Sequence, residues 1–519
     1  MRRSKTIIVL LLVAALTLAL FTGCSKSTTD TESKGSDNSG TDIGENTGNN
    51  DNTGSEGTDD KKNTEEAVKL VAVFPGTQPE CQPEVLEAIN KKLVEDGLNI
   101  NVDIKYIDDY WNKLALDIAG GTVYDLAWAH SSTLSDLVAK KVYQPIDEAM
   151  EKNAPELLEK MPEYLIKGGS VAGKLYAIPR NIPMTAFNNV YNVRGDLREK
   201  YGLPEITDIK GLEAFMEAVQ KNDPDVFPIV GSNLQPLYPV YANYFFPIGD
   251  GGKNPVYIDP ADPNFTVKSF WDSDAFTKVA EKAKEWRDKG YQPADTSSIE
   301  NMDTGFDYGK VAVVPANIMR ASERIDTITA NVPGVKVETV LLEPEKRYVF
   351  LAGDNMLAVP STSKNVDKAV ALINWIKGSQ ENYDLWSYGV EGENYKLVNG
   401  AVDVNDIPGE KRYTTNVWMW NDIELARFSS NYPKEDIEKL KVWDQGSEVT
   451  PFVGFTVDQS NIKTQVSQIT AVMNEYYENI GLGVLDINEV RDEIMDKMWA
   501  AGLQDVIDEV QRQINEYVK

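Results

Sequence analysis

Residues 68–74, VKLVAVF, and the turn PGTQPE that follows them at residues 75–80 decide the fold. The seven-residue run of mainly β-branched and aliphatic residues predicts a strand, and Pro83–Glu95 predicts a helix with apolar residues at helical spacing. The same alternation of strand and helix repeats twice more, at Asn99–Ile107, Tyr110–Gly120, Tyr124–Ala129 and Thr133–Lys140. This rhythm predicts an α/β protein with a mostly parallel sheet and helices on both faces.

The rest of the chain continues the α/β pattern without an internal repeat. Helices are predicted at Leu212–Lys221, Asp274–Lys289, Asn365–Lys377, Ile462–Ile480 and, as one long element, Ile487–Val518. Strands are predicted at Val311–Val314, Val335–Leu342 and Met356–Val359. A chain of 519 residues has room for two large domains or three of average size.

Composition excludes several functional classes. The chain has 52 Lys and Arg residues against 81 Asp and Glu, a formal net charge of −29, which disfavours nucleic acid as a partner. Its single histidine, His130, excludes a His-rich metal centre and leaves one candidate base for a Ser–His or Cys–His pair. The two cysteines, Cys24 and Cys81, form neither a disulfide framework nor a four-thiolate site. We expect no metal and no cofactor.

The N-terminus predicts export. Three basic residues stand among the first five, and the apolar run Ile7–Phe21 has the length of a signal sequence rather than of a membrane span. It ends in FTGC at residues 21–24, which resembles the lipobox of bacterial lipoproteins. This predicts a lipoprotein signal peptide at residues 1–23 and lipidation of Cys24. The alternative is an ordinary secretory signal that retains Cys24.

A tether follows the lipidated cysteine. Ser25–Glu66 contains a single aliphatic residue, Ile43, and no aromatic residue, so it cannot bury enough apolar area to fold. Residues 24–66 therefore predict an acidic, disordered linker. A flexible coil of this length spans roughly 35 Å.

The order of several segments resembles bacterial extracellular solute-binding proteins of family 1. LYAIP at residues 175–179, followed by Ala186–Tyr191, is similar to the crossing between the two lobes of that family. Further similar segments lie at Pro204–Lys221, Gly309–Val313, Gly353–Lys377 and, in the pattern of maltodextrin-binding members, Tyr124–Asp147. Three more segments resemble a lipoprotein subfamily with a distinctive C-terminal domain, namely Ser387–Tyr395, Gly454–Asp458 and Ala501–Gln513.

The resemblance implies a two-lobed, periplasmic-binding-protein-like fold with a hinge and an interlobe ligand cleft. Lobe one is expected at residues 67–182 plus about 352–400, and lobe two at 183–351 plus about 401–519. The implied function is that of a monomeric, lipid-anchored substrate-binding subunit of an ABC importer, on the outer face of the cytoplasmic membrane of a Gram-positive bacterium. Its partners would be the permease subunits and a carbohydrate, expected to be an oligosaccharide.

Trp128 is the leading candidate for contact with the ligand. It stands at the end of the third predicted strand, and in maltodextrin-binding relatives the matching Trp touches sugar. Ser131 replaces the acidic residue of that pattern, so the polar contact there need not be the same. The alternative for Trp128 is packing in the core.

Other aromatic candidates lie in two later clusters. Tyr241 and Tyr244 belong to the Pro-punctuated segment QPLYPVYANYFFP, which lines either the cleft or the underside of a loop. Trp418 and Trp420 are spaced two apart, so in a strand both indoles would share one face, either as a sugar platform or as a buried sheet face.

Polar candidates complete the predicted site. Gln78 and Glu80 lie in the first loop, and Arg180 and Asn181 lie at the lobe crossing. Glu391 matches an acidic position of the subfamily, without an assigned role.

Two functional alternatives remain. A binding protein for a peptide or another polar solute would share this architecture. An extracellular glycosidase would need two carboxylates facing each other across the cleft, and the number of acidic residues alone does not exclude such a pair. His130 and Ser131 lack a Gly-x-Ser-x-Gly elbow and a visible acid partner, so no catalytic residue is predicted. We expect Cys81 to be an unpaired structural thiol.

Overall fold

The computed structural model describes residues 67–249, 252–294, 302–342, 346–350 and 353–519. The predicted signal peptide, Cys24 and the linker lie outside these residues. Within the described ranges, no helix combines the length and the apolar character needed to cross a bilayer.

The first part of the chain alternates between strands and helices, as predicted. Its elements are β1 (Val68–Pro75), α1 (Gln82–Glu95), β2 (Ile100–Ile107), α2 (Tyr110–Ala119), β3 (Leu126–His130), α3 (Ser131–Ala139), α4 (Asp147–Asn153), α5 (Pro155–Lys160), α6 (Glu163–Gly168), β4 (Ser170–Val171), β5 (Lys174–Leu175) and β6 (Ala177–Pro179).

The middle of the chain builds a second α/β unit. Its elements are β7 (Val190–Arg194), α7 (Gly195–Lys200), α8 (Ile209–Asn222), β8 (Phe227–Ile229), α9 (Leu234–Tyr241), β9 (Val256–Ile258), β10 (Val267–Ser269), α10 (Asp274–Asp288), α11 (Met302–Asp307), β11 (Val311–Ala316), α12 (Arg320–Asn331), β12 (Val337–Val340) and β13 (Tyr348–Val349).

The last part returns to the first unit before it ends in three long helices. Its elements are β14 (Asn355–Ala358), α13 (Val366–Gly378), α14 (Gln380–Tyr388), β15 (Lys396–Val398), β16 (Ala401–Asp403), 3-10 helices at Gly409–Lys411 and Val417–Met419, α15 (Lys434–Lys441), β17 (Glu448–Val449), α16 (Lys463–Gly481), α17 (Ile487–Ala500) and α18 (Leu503–Tyr517).

Two mixed sheets organise the two lobes. The first has the strand order β2-β1-β3-β14-β6, and the second has the order β12-β7-β11-β8. β14 runs antiparallel to both of its neighbours, and so does β7. These two strands are the ones that begin just after the chain has crossed between lobes. They enter their sheets at the edge where the other strands end, which gives each otherwise parallel sheet one reversed strand.

Apolar side chains cover both faces of each sheet. In β1, Phe74 packs into the core on one face and Val73 into the core on the other, because successive side chains of a strand point to opposite faces. In β11, Val313 and Val314 divide in the same way between the two cores of the second sheet. The predicted α/β class with covered sheets is confirmed.

The chain connects the lobes at more than one place. The backbone N–H of Asn181 donates to the carbonyl of Asn421 at 3.0 Å, and that of Ile423 donates to the carbonyl of Asn181 at 2.7 Å. The carboxylate of Asp444 accepts from the backbone N–H groups of Met184 and Thr185, each at 2.8 Å. The segment Asn421–Asp444 therefore fixes the position of residues 181–185, where the chain first crosses from one lobe to the other.

Two details differ from the sequence-based expectations. Tyr413, Met419 and Trp420 pack into the core of the first lobe, although the sequence-based boundaries place residues from about 401 onward in lobe two. The predicted single helix Ile487–Val518 is two helices, because Gly502 adopts a left-handed φ of +91° between them. A glycine reaches this conformation without steric cost, and it turns the chain so that α18 packs beside α17.

Candidate ligand-binding site between the lobes

The ends of the parallel strands define one edge of the first lobe. β1, β2 and β3 end at Pro75, Ile107 and His130, and β14 begins opposite His130 at Asn355. Loops that follow the carboxyl ends of strands are the usual ligand-binding positions of open α/β sheets. Side chains from these loops meet at this edge.

Three indoles form a cluster at this edge, which we call the tryptophan cluster (Trp111, Trp128 and Trp418). The rings of Trp111 and Trp128 have centroids 4.3 Å apart, with 34° between their planes. Trp418 meets Trp128 edge-on at 5.2 Å and 84°. Trp418 is 41% exposed, and the other two are half-buried. The cluster thus offers aromatic surface to solvent at the strand ends.

Hydrogen bonds fix the position of Trp128. Its indole Nε1 donates to Oδ1 of Asn355 at 3.0 Å. The hydroxyls of Tyr110 and Tyr143 both donate to its backbone carbonyl, each at 2.9 Å. Burial raises the pKa of both tyrosines well above the ordinary value, so both stay protonated donors. The indole is therefore held in one orientation before any ligand arrives.

Arg180 and Asp354 form a two-point ion pair beside the cluster. Arg180 donates from Nε and Nη2 to the two carboxylate oxygens of Asp354, at 2.6 and 2.5 Å. Its Nη1 donates to the backbone carbonyl of Trp418 at 3.2 Å. The guanidinium also lies 5.4 Å from the ring centre of Phe187. The ion pair and this third bond therefore link three segments of the chain, namely the residues before β14, the end of β6 and the segment that carries Trp418.

A cavity of about 420 Å³ lies between the two sheets. The first lobe contributes His130–Ser132 and Gly353–Asp354, and the crossing contributes Met184–Asn189. The second lobe contributes residues between Gln235 and Asn254, and a loop after β17 closes one side. The cavity is therefore built from both lobes and from the segments that join them.

The lining of the cavity is rich in amides and aromatic rings. Six amide side chains of the described residues line it, namely Asn188, Asn189, Gln235, Asn243, Asn254 and Gln459. The aromatic lining residues include Phe187, Tyr238, Tyr244, Phe246, Phe350 and Phe455. Among the described lining residues, Asp354 is the only carboxylate, and Arg180 already neutralises it. Arg347 also lines the cavity, and its Nη2 donates to the backbone carbonyl of Trp443 at 2.9 Å. Such a surface suits a ligand with many hydroxyl groups.

The structure brings part of the predicted site together. Ser131 and Tyr244 line the cavity directly, although Tyr244 is largely buried among other rings. Trp128 and Trp418 are not among the lining residues of the cavity, and half-buried Trp128 also packs against the cores of the first lobe. The ring of Trp128 lies 6.2 Å from that of His130, which lines the cavity. Arg180 reaches the cavity edge through Asp354.

The remaining predicted polar residues are not among the lining residues of the cavity. Gln78 and Glu80 are exposed in the connection between β1 and α1, and Glu391 is exposed in a turn that bridges to Tyr395. The Asn181 amide donates to Oδ1 of Asp422 at 3.0 Å, at the lobe crossing. Tyr241 is also absent from the lining, and it packs half-buried against the second-lobe core.

Trp420 does not share a face with Trp418, which corrects the expectation of a strand here. Residues Val417–Met419 form a 3-10 helix, in which residues two apart point in different directions. Trp420 is 2% exposed, packs on Phe74 at 5.4 Å, and donates from Nε1 to Ser387 at 2.9 Å. It is a core residue of the first lobe, and Trp418 alone is exposed.

Several site residues are not among the sequence-based candidates. Trp111 has a visible signal in the sequence, since it follows the end of β2, just as Trp128 lies near the end of β3. Asn355 carries no local signal, because its contact with Trp128 depends on the pairing of β14 with β3. Phe455 and Gln459 lie in a loop whose approach to the cavity is set by the fold of the C-terminal helices.

His130 and Cys81, the two side chains considered for nucleophilic chemistry, lie in structural surroundings. The described residues contain no group of three or more His, Cys, Asp or Glu side chains that could hold a metal. His130 Nδ1 lies 2.8 Å from the hydroxyl of Ser132 and accepts from its backbone N–H, so the imidazole caps the N-terminus of α3. Cys81 is a buried free thiol, and burial raises its pKa.

Comparison with known proteins identifies the family. The family model described as bacterial extracellular solute-binding protein matches residues 85–390, and a domain of unknown function matches residues 451–519. A Streptococcus pneumoniae (serotype 4, strain TIGR4) protein named as a carbohydrate ABC transporter substrate-binding protein is 24% identical over 456 residues, which are 86% of this chain and 90% of that protein.

Solved structures show the same fold. The N-glycan transport solute-binding protein of Streptococcus pneumoniae is 22% identical, with a TM-score of 0.70 over 87% of this chain and 99% of that one. A human-milk-oligosaccharide (HMO)-binding, ABC-transporter-associated protein from Bifidobacterium longum infantis is 15% identical, with a TM-score of 0.57 over 88% and 100%. The expected two-lobed fold is confirmed. Because the family model covers more than half of its length, this chain belongs to the bacterial extracellular solute-binding proteins.

Proposed function

We propose that the protein is the carbohydrate-binding subunit of an ABC importer. It captures an oligosaccharide between its lobes, closes on it, and delivers it to the permease subunits. A lipid on Cys24 holds it, as a monomer, at the outer face of the cytoplasmic membrane of a Gram-positive bacterium. The ligand leaves chemically unchanged.

The observation that carries this proposal is the pairing of amides with aromatic rings in and beside one cavity. Sugar rings stack their C–H faces on aromatic side chains, and their hydroxyls pair with groups that both donate and accept. Amides such as Gln235 and Asn254 do both without carrying charge. The tryptophan cluster adds stacking surface at the edge of the first lobe.

The relatives support the same ligand class. One Streptococcus pneumoniae relative is named for carbohydrate, and the N-glycan transport solute-binding protein of the same species was crystallised with Man1GlcNAc and with Man5GlcNAc. The Bifidobacterium protein is described as HMO-binding. These glycans are ligands of the relatives, and they are the first compounds to test for binding to this protein.

A glycosidase is less well supported. Hydrolysis of a glycosidic bond uses two carboxylates about 5–10 Å apart, on either side of the bond. Among the described lining residues Asp354 stands alone as a carboxylate, and both of its oxygens already accept hydrogen bonds from Arg180. A peptide ligand is the other alternative, and the same experiment tests it.

The experiment is a calorimetric titration of residues 67–519 against a panel of neutral oligosaccharides and short peptides, with product analysis of each mixture. We expect saturable binding of at least one oligosaccharide, no binding of the peptides, and recovery of the intact sugar. Steady release of shorter sugars would establish a glycosidase. Binding of peptides alone would replace the carbohydrate assignment.

A further inference from the structure

A loop from the C-terminal region forms one wall of the cavity. Residues Gly454–Gln459, which we call the C-terminal loop, contribute Gly454, Phe455, Thr456, Val457 and Gln459 to the lining. Phe455 is half-buried, and Gln459 is exposed. The loop belongs to the region 451–519, which matches a domain of unknown function.

The last helix, α18, holds this loop at two points. Gln513 donates from Nε2 to the carbonyl of Asp458 and accepts from its backbone N–H, both at 2.8 Å. The hydroxyl of Tyr517 donates to the carbonyl of Val453 at 2.7 Å, and its ring lies 5.1 Å from that of Phe455. The loop has no regular backbone ladder of its own, so these contacts set its position.

The base of the loop lies at the junction of the lobes. Phe452 is buried in the core of the second lobe, stacked on Phe245 at 4.8 Å with 6° between the rings. The next residue, Val453, packs into the core of the first lobe. Gly454 has a φ of +84°, and a Cβ there would stand 2.8 Å from the carbonyl oxygen of Lys167 in α6. The loop is therefore wedged between both lobes.

We propose that residues 451–519 are a ligand-binding module, in which α18 positions the C-terminal loop as a wall of the cleft. Phe455 supplies an aromatic surface to the ligand, and Gln459 supplies an amide to its hydroxyls. Gln513 and Tyr517 are positioning residues, which act on the ligand through the loop. This inference rests on the proposed carbohydrate-binding function, and it assigns a role in ligand binding to residues 451–519.

The experiment uses the oligosaccharide that binds in the titration described above. It measures the equilibrium affinity and the dissociation rate of that compound for variants of residues 67–519. Phe455→Leu keeps apolar volume against Phe245 and Tyr517 but removes the ring, and we expect about tenfold weaker binding. Tyr517→Phe removes one hydroxyl, and we expect dissociation roughly threefold to tenfold faster, because the loop loses its anchor at Val453.

The matched control is Tyr476→Phe. Its hydroxyl donates to Glu493 at 2.7 Å within the same domain, and its loss should leave the dissociation rate unchanged. Thermal unfolding of each variant confirms that it is folded at the titration temperature.

Three outcomes are distinguishable. The inference is supported if the wild-type protein binds the oligosaccharide, Phe455→Leu binds it more weakly, and Tyr517→Phe releases it faster. The inference is overturned, and the proposed function stays in place, if the wild-type protein binds and both variants match its affinity and dissociation rate. The same holds if Tyr476→Phe binds as poorly as the two variants. A wild-type protein that binds no oligosaccharide overturns the proposed function and the inference with it.

Discussion

The indole Nε1 of Trp128 donates to Oδ1 of Asn355 at 3.0 Å, across the adjacent antiparallel strands β3 and β14. Asn355 is the first residue of the strand on which the chain returns from the second lobe. The orientation of the indole is thus set by a residue at the lobe junction. A ligand that stacks on Trp128 would meet a surface already fixed by the connection between lobes.

Trp418 is the most exposed member of the tryptophan cluster and gives a clean test of it. Trp418→Ala should weaken oligosaccharide binding about tenfold or more, with little change in melting temperature, because the side chain is 41% exposed. The control is Trp499→Ala on α17, which is also 41% exposed but lies outside the tryptophan cluster, whereas the ring of Trp418 lies 5.2 Å from that of Trp128. Equal affinities for both variants in a titration would remove Trp418 from the site.

Asp96 should give a pH-dependent contribution to stability. Its carboxylate accepts from Lys92 at 2.9 Å and from Nε1 of Trp375 at 2.8 Å, and these bonds lower its pKa from the ordinary 3.8. A carboxyl group whose pKa is lower in the folded than in the unfolded protein stabilises the fold at pH values above the unfolded-state pKa. This stabilisation is lost as the pH falls through the folded-state pKa. Because Asp96 is exposed and solvent screens its ion pair with Lys92, Asp96→Asn should cost only about 0.5 kcal/mol at pH 7.

The measurement for Asp96 is urea unfolding of wild type and variant at pH 7, 5, 4 and 3. The difference in unfolding free energy should shrink toward zero at the acid end. Asp136→Asn, in an exposed surface pair with Lys140, serves as the control and should change little at any pH. A difference for Asp96→Asn that persists unchanged at pH 3 contradicts the prediction.

Gly502 should be intolerant of a side chain. Its φ is +91°, and a Cβ at this position would stand only 2.6 Å from Cγ of Gln465. Gly502→Ala should therefore lower the unfolding free energy by about 1–2 kcal/mol. Gly378→Ala is the control, since a Cβ there meets nothing within 4 Å at the end of α13. Denaturant unfolding compares the two, and equal stability would mean that the turn between α17 and α18 is not needed.

Anchoring depends on Cys24, which lies outside the described residues. Cys24→Ser should move the protein from the membrane fraction to the medium, because the thiol is the proposed attachment point of the lipid. Cys81→Ser is the control and should remain membrane-bound, since Cys81 is buried in the first lobe. Retention of Cys24→Ser in membranes washed at high salt would refute lipidation at this residue.

Local patterns predict what depends on local sequence. The strands and helices from Val68 to Ala139 follow from alternating apolar periodicity, and Trp128 is a candidate because a strand end is visible in the sequence. Contacts between distant segments are not predictable in this way. Trp111 contacts Trp128 from the first turn of α2, and Trp418 contacts it from a segment about 290 residues later in the chain, which no spacing rule connects to it.

Two errors have clear physical origins. The pairing of Trp420 with Trp418 assumes a strand, and the 3-10 turn instead sends one indole into the core. The break at Gly502 is hard to predict because an isolated glycine in a helical pattern is compatible with an uninterrupted helix. In both cases the tertiary packing of the segment decides between alternatives that the local sequence leaves open.

The most direct test of the account is a titration of Trp128→Ala with the bound oligosaccharide, run beside thermal unfolding of the ligand-free protein. We expect a folded variant whose affinity falls by about 2 kcal/mol or more, roughly thirtyfold. A Trp128 that served only the core would instead cost roughly 3–5 kcal/mol of folding stability. A large fall in melting temperature with near-normal affinity at low temperature would contradict carbohydrate capture at the tryptophan cluster.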